Sequence, residues 1–262
     1  MKELTIEQEQ KYQLETLKKF DSICRKEELK YFLAYGTLLG AAREQGFIKW
    51  DDDIDLWMLR KDIDRFVEVY KNYTDDRYFL QTYHTDPNMP VPGMVRLCIN
   101  ETYKWPLECK KLPFHTGIYF DIFPLDYCDL DIEKTKKRIK KCRLLYDMLW
   151  KKLHTKERKK SLKSMVYQTL CDLTPRRLIV KTISNCFCPS NPDYRRMVCY
   201  PVSFIYPDNI YDASLFSDSV LLQFEDIQCP CPIGYKKLLE DRYGNWEVPA
   251  ITKPNRIIAY IK

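Results

Sequence analysis

What this sequence has little of narrows it first. No stretch approaches the ~18 consecutive apolar residues that a membrane-spanning helix requires, so a transmembrane chain is not expected. Glycine supplies 7 and proline 15 of the 262 residues, too few for a collagen-like or low-complexity chain. No repeat recurs at a period of ~20–50 residues, which argues against solenoids and propellers. The opening Met1–Phe20 is charged throughout and lacks the apolar stretch of a secretory signal. A reducing compartment, the cytoplasm, is therefore expected.

What is present reads as a globular protein. Hydrophobic residues make up 45% and aromatic residues 14% of the chain, enough to offset the ordering entropy of a packed core. Eleven cysteines invite a disulfide or zinc reading. Their number is odd, and the pairs Cys186/Cys188 and Cys229/Cys231 are separated by one residue rather than the ~2–4 usual at structural zinc. Most are expected to be free core thiols.

The net charge is +6, unevenly placed. From Asp131 to Lys181 there are 17 Lys or Arg against 5 Asp or Glu, a local +12 that leaves −6 for the remainder. An acidic body carries a basic segment. Hydrophobic periodicity predicts a long amphipathic helix over Thr5–Lys30, a buried strand at Tyr31–Tyr35 and a helix at Thr37–Glu44. Further strands are expected at Asp53–Met58, Tyr78–Tyr83, Val95–Ile99 and Ile118–Phe123, with a helix at Asp62–Tyr73 between the first two. The basic stretch reads as helices broken at Pro175, Phe187–Ile233 as loops and short strands, and Tyr235–Tyr243 as a last helix closed by Gly244. The class is α+β, in one domain over 1–262 with a helical insertion at about 131–185.

The chemistry concentrates in Gly36–Asp55, GTLLGAAREQGFIKWDDDID. A strand running into Gly36-Thr37 at a helix start presents unpaired N–H groups and the positive dipole end, which favour an anion. Thr37 can cap that helix and donate to a phosphate, and Arg43 can offer a bidentate fork. Asp53 and Asp55, alternating on a strand, would share a face, and two such carboxylates call for a cation. Hard oxygen ligands select Mg²⁺ or Mn²⁺. Asp51 and Asp52 are expected in the approach, as a supporting contact or a base. Asp121, an acid among Tyr, Phe and Ile, is the third candidate ligand; its alternative is a buried ion pair with Arg96. A solvated acidic loop accounts poorly for Ile54, Leu56, Trp57 and Met58, and an EF-hand loop fails on spacing.

The segment FLAYGTLLGAAREQGFIKWDDDIDL closely resembles the hallmark of the LicD family, which includes fukutin and fukutin-related protein. YFDIFPLD and Phe224–Trp246 match two further family segments in order, so the resemblance runs from about Tyr31 to Trp246 without the basic middle. It implies a nucleotidyltransferase-like fold and metal-dependent transfer of phosphocholine, or a similar phospho-alcohol, from a CDP-linked donor such as CDP-choline. The implied acceptor is a hydroxyl of a cell-surface glycan or its lipid-linked precursor (lipopolysaccharide or teichoic acid), and CMP is released. It also implies that Asp53, Asp55 and Asp121 bind metal and that Gly36 and Thr37 hold donor phosphate. The chain departs from the family at Cys229 and Cys231, where apolar residues are more usual.

Other residues are weighed on their own terms. Arg96 could reach a pyrophosphate or form an ordinary ion pair. His115 could assist a proton transfer; His84 and His154 read as structural. Trp50 could stack on a base, whereas Tyr35 reads as core. The basic segment could be a solvated helix pair or could contact an anionic membrane at its inner face. Nucleic acid is not expected, since no base-reading motif accompanies the charge. Two competing readings are nucleotidyl transfer from an NTP and a nonenzymatic anion-binding module.

Overall fold

The structure, a computed structural model, describes residues 1–89, 91–105, 112–128, 131–153, 162–186, 196–199, 210–249 and 258–261. Strand β1 (Lys2–Glu3) leads into helix α1 (Ile6–Lys26). Thr5 and Gln8 form a reciprocal capping box that starts α1 one residue after the cap. Leu17, Phe20, Ile23 and Cys24 then recur at helical spacing and are buried. After α1 come β2 (Tyr31–Leu33), α2 (Tyr35–Arg43), β3 (Asp55–Leu59), α3 (Arg60–Val69), β4 (Tyr78–Gln81), β5 (Val95–Ile99), β6 (Thr102–Tyr103) and β7 (Tyr119–Cys128).

Three helices follow: α4 (Ile132–Leu153), α5 (Leu162–Leu173) and α6 (Arg176–Cys186). The chain closes with β8 (Arg196–Cys199), β9 (Ile210–Asp212), the hairpin β10 (Ser219–Phe224) and β11 (Ile227–Pro232), α7 (Tyr235–Tyr243) and β12 (Tyr260–Ile261). Gly244 ends α7 at φ +67°, a conformation in which a side chain would be strained.

The main sheet runs β2-β3-β7-β5-β4, with β8 pairing the second half of β7 and β9 pairing β8. Only β3 and β7 are parallel; the other pairs are antiparallel, so the sheet is mixed and the class α+β. Helices cover both faces. Phe20 of α1 and Phe66 of α3 meet edge-to-face beneath Phe120. On the opposite face Tyr35, Trp57, Phe123, Tyr211 and Phe216 form a linked aromatic cluster. Trp57 is only 2% exposed, so truncating it to Ala should cost about 3–5 kcal/mol.

Helices α4–α6 build a core of their own from Ile139, Cys142, Tyr146, Leu149, Cys171, Ile179 and Ile183. Cys229 and Cys231 lie two apart on β11 and are buried in the main core as free thiols. Among the described residues neither joins a metal-ligating group. Cys188 and His154 lie outside the described residues.

Of the boundaries that differ from the sequence reading, two concern the site. Helix α2 begins at Tyr35, so Thr37 lies inside its first turn and Ala34 occupies the cap without a side-chain bond. Strand β3 begins at Asp55, so Asp53 precedes the strand and does not alternate with Asp55 on it.

Candidate active site

The carboxylates gather where β3 and β7 begin side by side. Asp55 sits opposite Asp121 in the parallel register, and Asp121 sits opposite Arg96 in the antiparallel one. The approach to β3 is tied down from three sides. Gln10 Nε2 of α1 donates to the Asp51 carbonyl at 2.8 Å, and Gln13 Nε2 donates to the Asp52 carbonyl at 2.5 Å. Lys104 Nζ also donates to the Asp52 carbonyl. Thr37 Oγ1 accepts the Asp55 N–H at 2.9 Å, which locks the start of β3 onto α2. Thr37 therefore orders the acidic run instead of capping its helix.

Asp51, Asp52 and Asp53 each bring a carboxylate oxygen within 4.8 Å of the other two. Asp53 opens to solvent at the mouth, while Asp51 and Asp52 are half-buried. Burial pushes the Asp51 carboxyl up to about 8, reinforced by the neighbouring charge of Asp53. The Asp53 carboxyl is turned into the cluster and raised by desolvation there, although the rest of the residue meets solvent; the Lys104 ammonium opposes the shift, and Asp52 and Asp121 add repulsion. Asp55 is raised well above the carboxylate range by burial and then by Asp53 and Asp121, with Arg242 opposing. These groups resist ionising together, and an added cation would relieve them. The donors are all oxygen, which suits a hard divalent ion and not zinc.

Asp121 takes the ion-pair alternative. Its Oδ1 accepts from Arg96 Nε at 2.6 Å, and the pair is largely buried. Burial works against the Arg96 charge, yet Asp121 raises that guanidinium above its ordinary value. Arg96 also lies over the Tyr119 ring at 4.0 Å. The arginine is thus held through Nε and its planar face, while its buried Nη1 has no hydrogen-bond partner among the described residues.

Several candidates are placed elsewhere. Arg43 is at the far end of α2, about 10 Å along the helix from Gly36. Its Nε bonds Glu44 at 2.7 Å and its terminal nitrogen bonds the Trp246 carbonyl at 3.0 Å. His115 stacks on Phe79 and shares a 3.0 Å hydrogen bond with Asn100, four residues from Arg96, or about 13 Å along a strand. A Cβ on Gly36 would lie 2.6 Å from Asp51 Oδ2, so the first turn of α2 already faces a carboxylate. Trp50 is half-buried against the main core, and Tyr35 is buried in it.

The sequence reading missed two cations and one anion. Lys104, 5% exposed, pairs at 2.9 Å with Glu9 of α1, itself fully buried, and lies 3.8 Å from Asp52 Oδ2. Arg242 of α7 rests 4.1 Å over the Tyr35 ring and acts electrostatically on Asp55. Glu9 hides in an otherwise ordinary amphipathic pattern, and no local spacing links either cation to the acidic run. The one available signal for Arg242 is its place in the C-terminal segment that resembles the family.

Residues 28–90 match the family described as LicD/FKTN/FKRP, nucleotidyltransferase domain. The chain is 43% identical over 82 residues to the lipopolysaccharide cholinephosphotransferase LicD of Haemophilus influenzae, covering 31% of each chain. It is 37% identical over 62 residues to an uncharacterised protein of Rickettsia typhi, covering 24% of this chain and 19% of that one. The chain thus spans less than a third of the length of the curated relatives it matches. Residues 28–90 hold Gly36, Thr37, Arg43 and the acidic run, whereas Arg96, Lys104, Asp121 and Arg242 lie beyond that family match. The likeness to the LicD/FKTN/FKRP nucleotidyltransferase domain is thus carried by residues 28–90 of this chain.

Proposed function

We propose that the protein is a metal-dependent phosphotransferase that moves phosphocholine, or a similar phospho-alcohol, from a CDP-linked donor to a hydroxyl of a cell-surface glycan or its lipid-linked precursor. CMP is the other product. The observation that carries this reading is the carboxylate cluster beside the first turn of α2, three of whose members lie within 4.8 Å of one another. Its family context is the match to a lipopolysaccharide cholinephosphotransferase.

A Mg²⁺ or Mn²⁺ ion would be held through Asp53, shared between its trio with Asp51 and Asp52 and the strand-start pair Asp55 and Asp121. When bound, the ion supplies charge neutralisation for a diphosphate brought against carboxylates. The remaining work falls to the chain. Asp51 already faces Gly36, so an anionic diphosphate meets α2 only where the carboxylates are compensated. Arg242, over Tyr35 and acting on Asp55, is the guanidinium best placed to meet donor phosphate, in the role the sequence reading gave to Arg43. The Arg96 pair holds Asp121 in register beside Asp55. Asp52, backed by Lys104, is suited to accept the acceptor's hydroxyl proton. Trp50 offers an aromatic face for the donor base.

The test is product analysis of the full chain with Mg²⁺ and CDP-choline, in the presence of a glycan acceptor. CMP release with transfer of label to the glycan supports the reading. Release of pyrophosphate from ATP or CTP, with CDP-choline left intact, would replace it with nucleotidyl transfer.

A further inference from the structure

We infer that the outward face of α5 is a docking surface for an anionic lipid bilayer. Helix α5 turns Cys171 into the insertion core, with Tyr167 half-buried beside it. On the other side, at ~100° per residue, Met165, Val166, Thr169, Leu170 and Leu173 share one arc. Four of the five are apolar and well exposed: Met165 58%, Val166 64%, Leu170 55% and Leu173 75%. The fifth, Thr169, donates its hydroxyl to the Met165 carbonyl, so it offers solvent little polarity. Leu178, 55% exposed, is a further exposed apolar side chain on α6, five residues beyond Leu173.

A helix face meeting only water is normally polar, and an apolar patch without charge marks a contact surface. Neighbouring α4 is mixed, exposing Lys134, Lys137, Lys140 and Lys141 as well as Leu144 and Trp150, whereas the arc on α5 holds no charged side chain. Charge chooses the occupant. Arg177 and Lys181 are exposed on α6 beside Leu178, within a segment of 17 basic and 5 acidic residues. A second copy would bring two strongly positive segments together, whereas an anionic lipid surface accepts both the apolar side chains and the charges around them. The acidic cluster belongs to a different region of the chain, so docking does not depend on the transfer reaction.

The full chain is tested by co-sedimentation with vesicles of phosphatidylcholine alone and of phosphatidylcholine mixed with phosphatidylglycerol, without donor or acceptor. Binding to the mixed vesicles, falling with salt, is expected. The triple variant Val166→Ser, Leu170→Ser, Leu173→Ser should bind at least roughly tenfold more weakly, since three apolar side chains no longer insert. Its far-UV spectrum and melting temperature check that the helices persist. Arg177→Glu with Lys181→Glu, which leaves the apolar arc intact, should weaken binding by roughly tenfold and flatten its salt dependence. No binding to mixed vesicles would overturn the inference, as would binding that the triple variant leaves unchanged. So would a wild-type dimer that the triple variant converts to monomer, because a second copy would then be the occupant.

Discussion

The acidic mouth of the sheet and the basic helical insertion both concentrate charge of one sign, yet they handle it differently. In the insertion most of the described lysines are exposed to water, where like charges are screened and their repulsion is small. At the sheet the carboxylates crowd into a partly buried cleft, are pushed toward protonation, and are answered by Arg96, Lys104 and Arg242 from three separate parts of the chain. Charge that is free to spread carries no geometry. Charge that is confined has to be organised, and such organisation is what a reactive site requires.

The sharpest way to break this contrast is to neutralise the confined charge. Asp53→Asn or Asp55→Asn should abolish CMP release, while the melting temperature in chelator holds or rises because a repelling carboxylate is gone. A variant that keeps near-wild-type release would sever the cluster from the reaction. Next in size is Lys104→Met, which leaves the fully buried Glu9 without its cation and should cost about 3–5 kcal/mol in urea unfolding. Adding Glu9→Gln should restore most of that loss; no restoration would mean that Lys104 acts through Asp52 instead.

A third measurement follows the protons. Asp51 ionises near 3.8 when unfolded and near 8 in the folded chain, and Asp53 and Asp55 shift in the same direction. A group whose folded value is raised stabilises fully below its unfolded value and loses that contribution as pH climbs to the folded one. In chelator the melting temperature should therefore fall between about pH 4 and 8, and added Mg²⁺ should flatten the fall. A melting temperature that rises over that range would contradict the crowding. The smallest effect is expected in the other region. Lys137→Glu with Lys140→Glu should change unfolding free energy by no more than about 0.5 kcal/mol per site, since both residues are exposed.

Much of this was legible in the residues. The apolar period of α1, the strand at Val95–Ile99, the break at Pro175 and the stop at Gly244 are local, and local backbone preference decided them. The acidic run stood out as a candidate site because Ile54, Leu56 and Trp57 made a solvated loop a poor account. Thr37 was misread because a Gly-Thr pair at a helix start looks like a cap until another strand supplies a better partner, here the Asp55 N–H. Arg43 looked like the phosphate fork because it is near in sequence, but its helix carries it to the opposite end from Gly36.

The sequence alone determined where most helices and the strands β2, β3, β4, β5 and β7 lie, along with the basic segment and the identity of the carboxylates, since each follows from side chains a few residues apart. Only the tertiary structure decided that Asp121 stands between Asp55 and Arg96, that Glu9 and Lys104 brace the acidic run, and that Arg242 faces it. Those neighbours are set by strand register and by which faces pack together, and burial turns their proximity into strong electrostatic coupling that sequence separation does not encode.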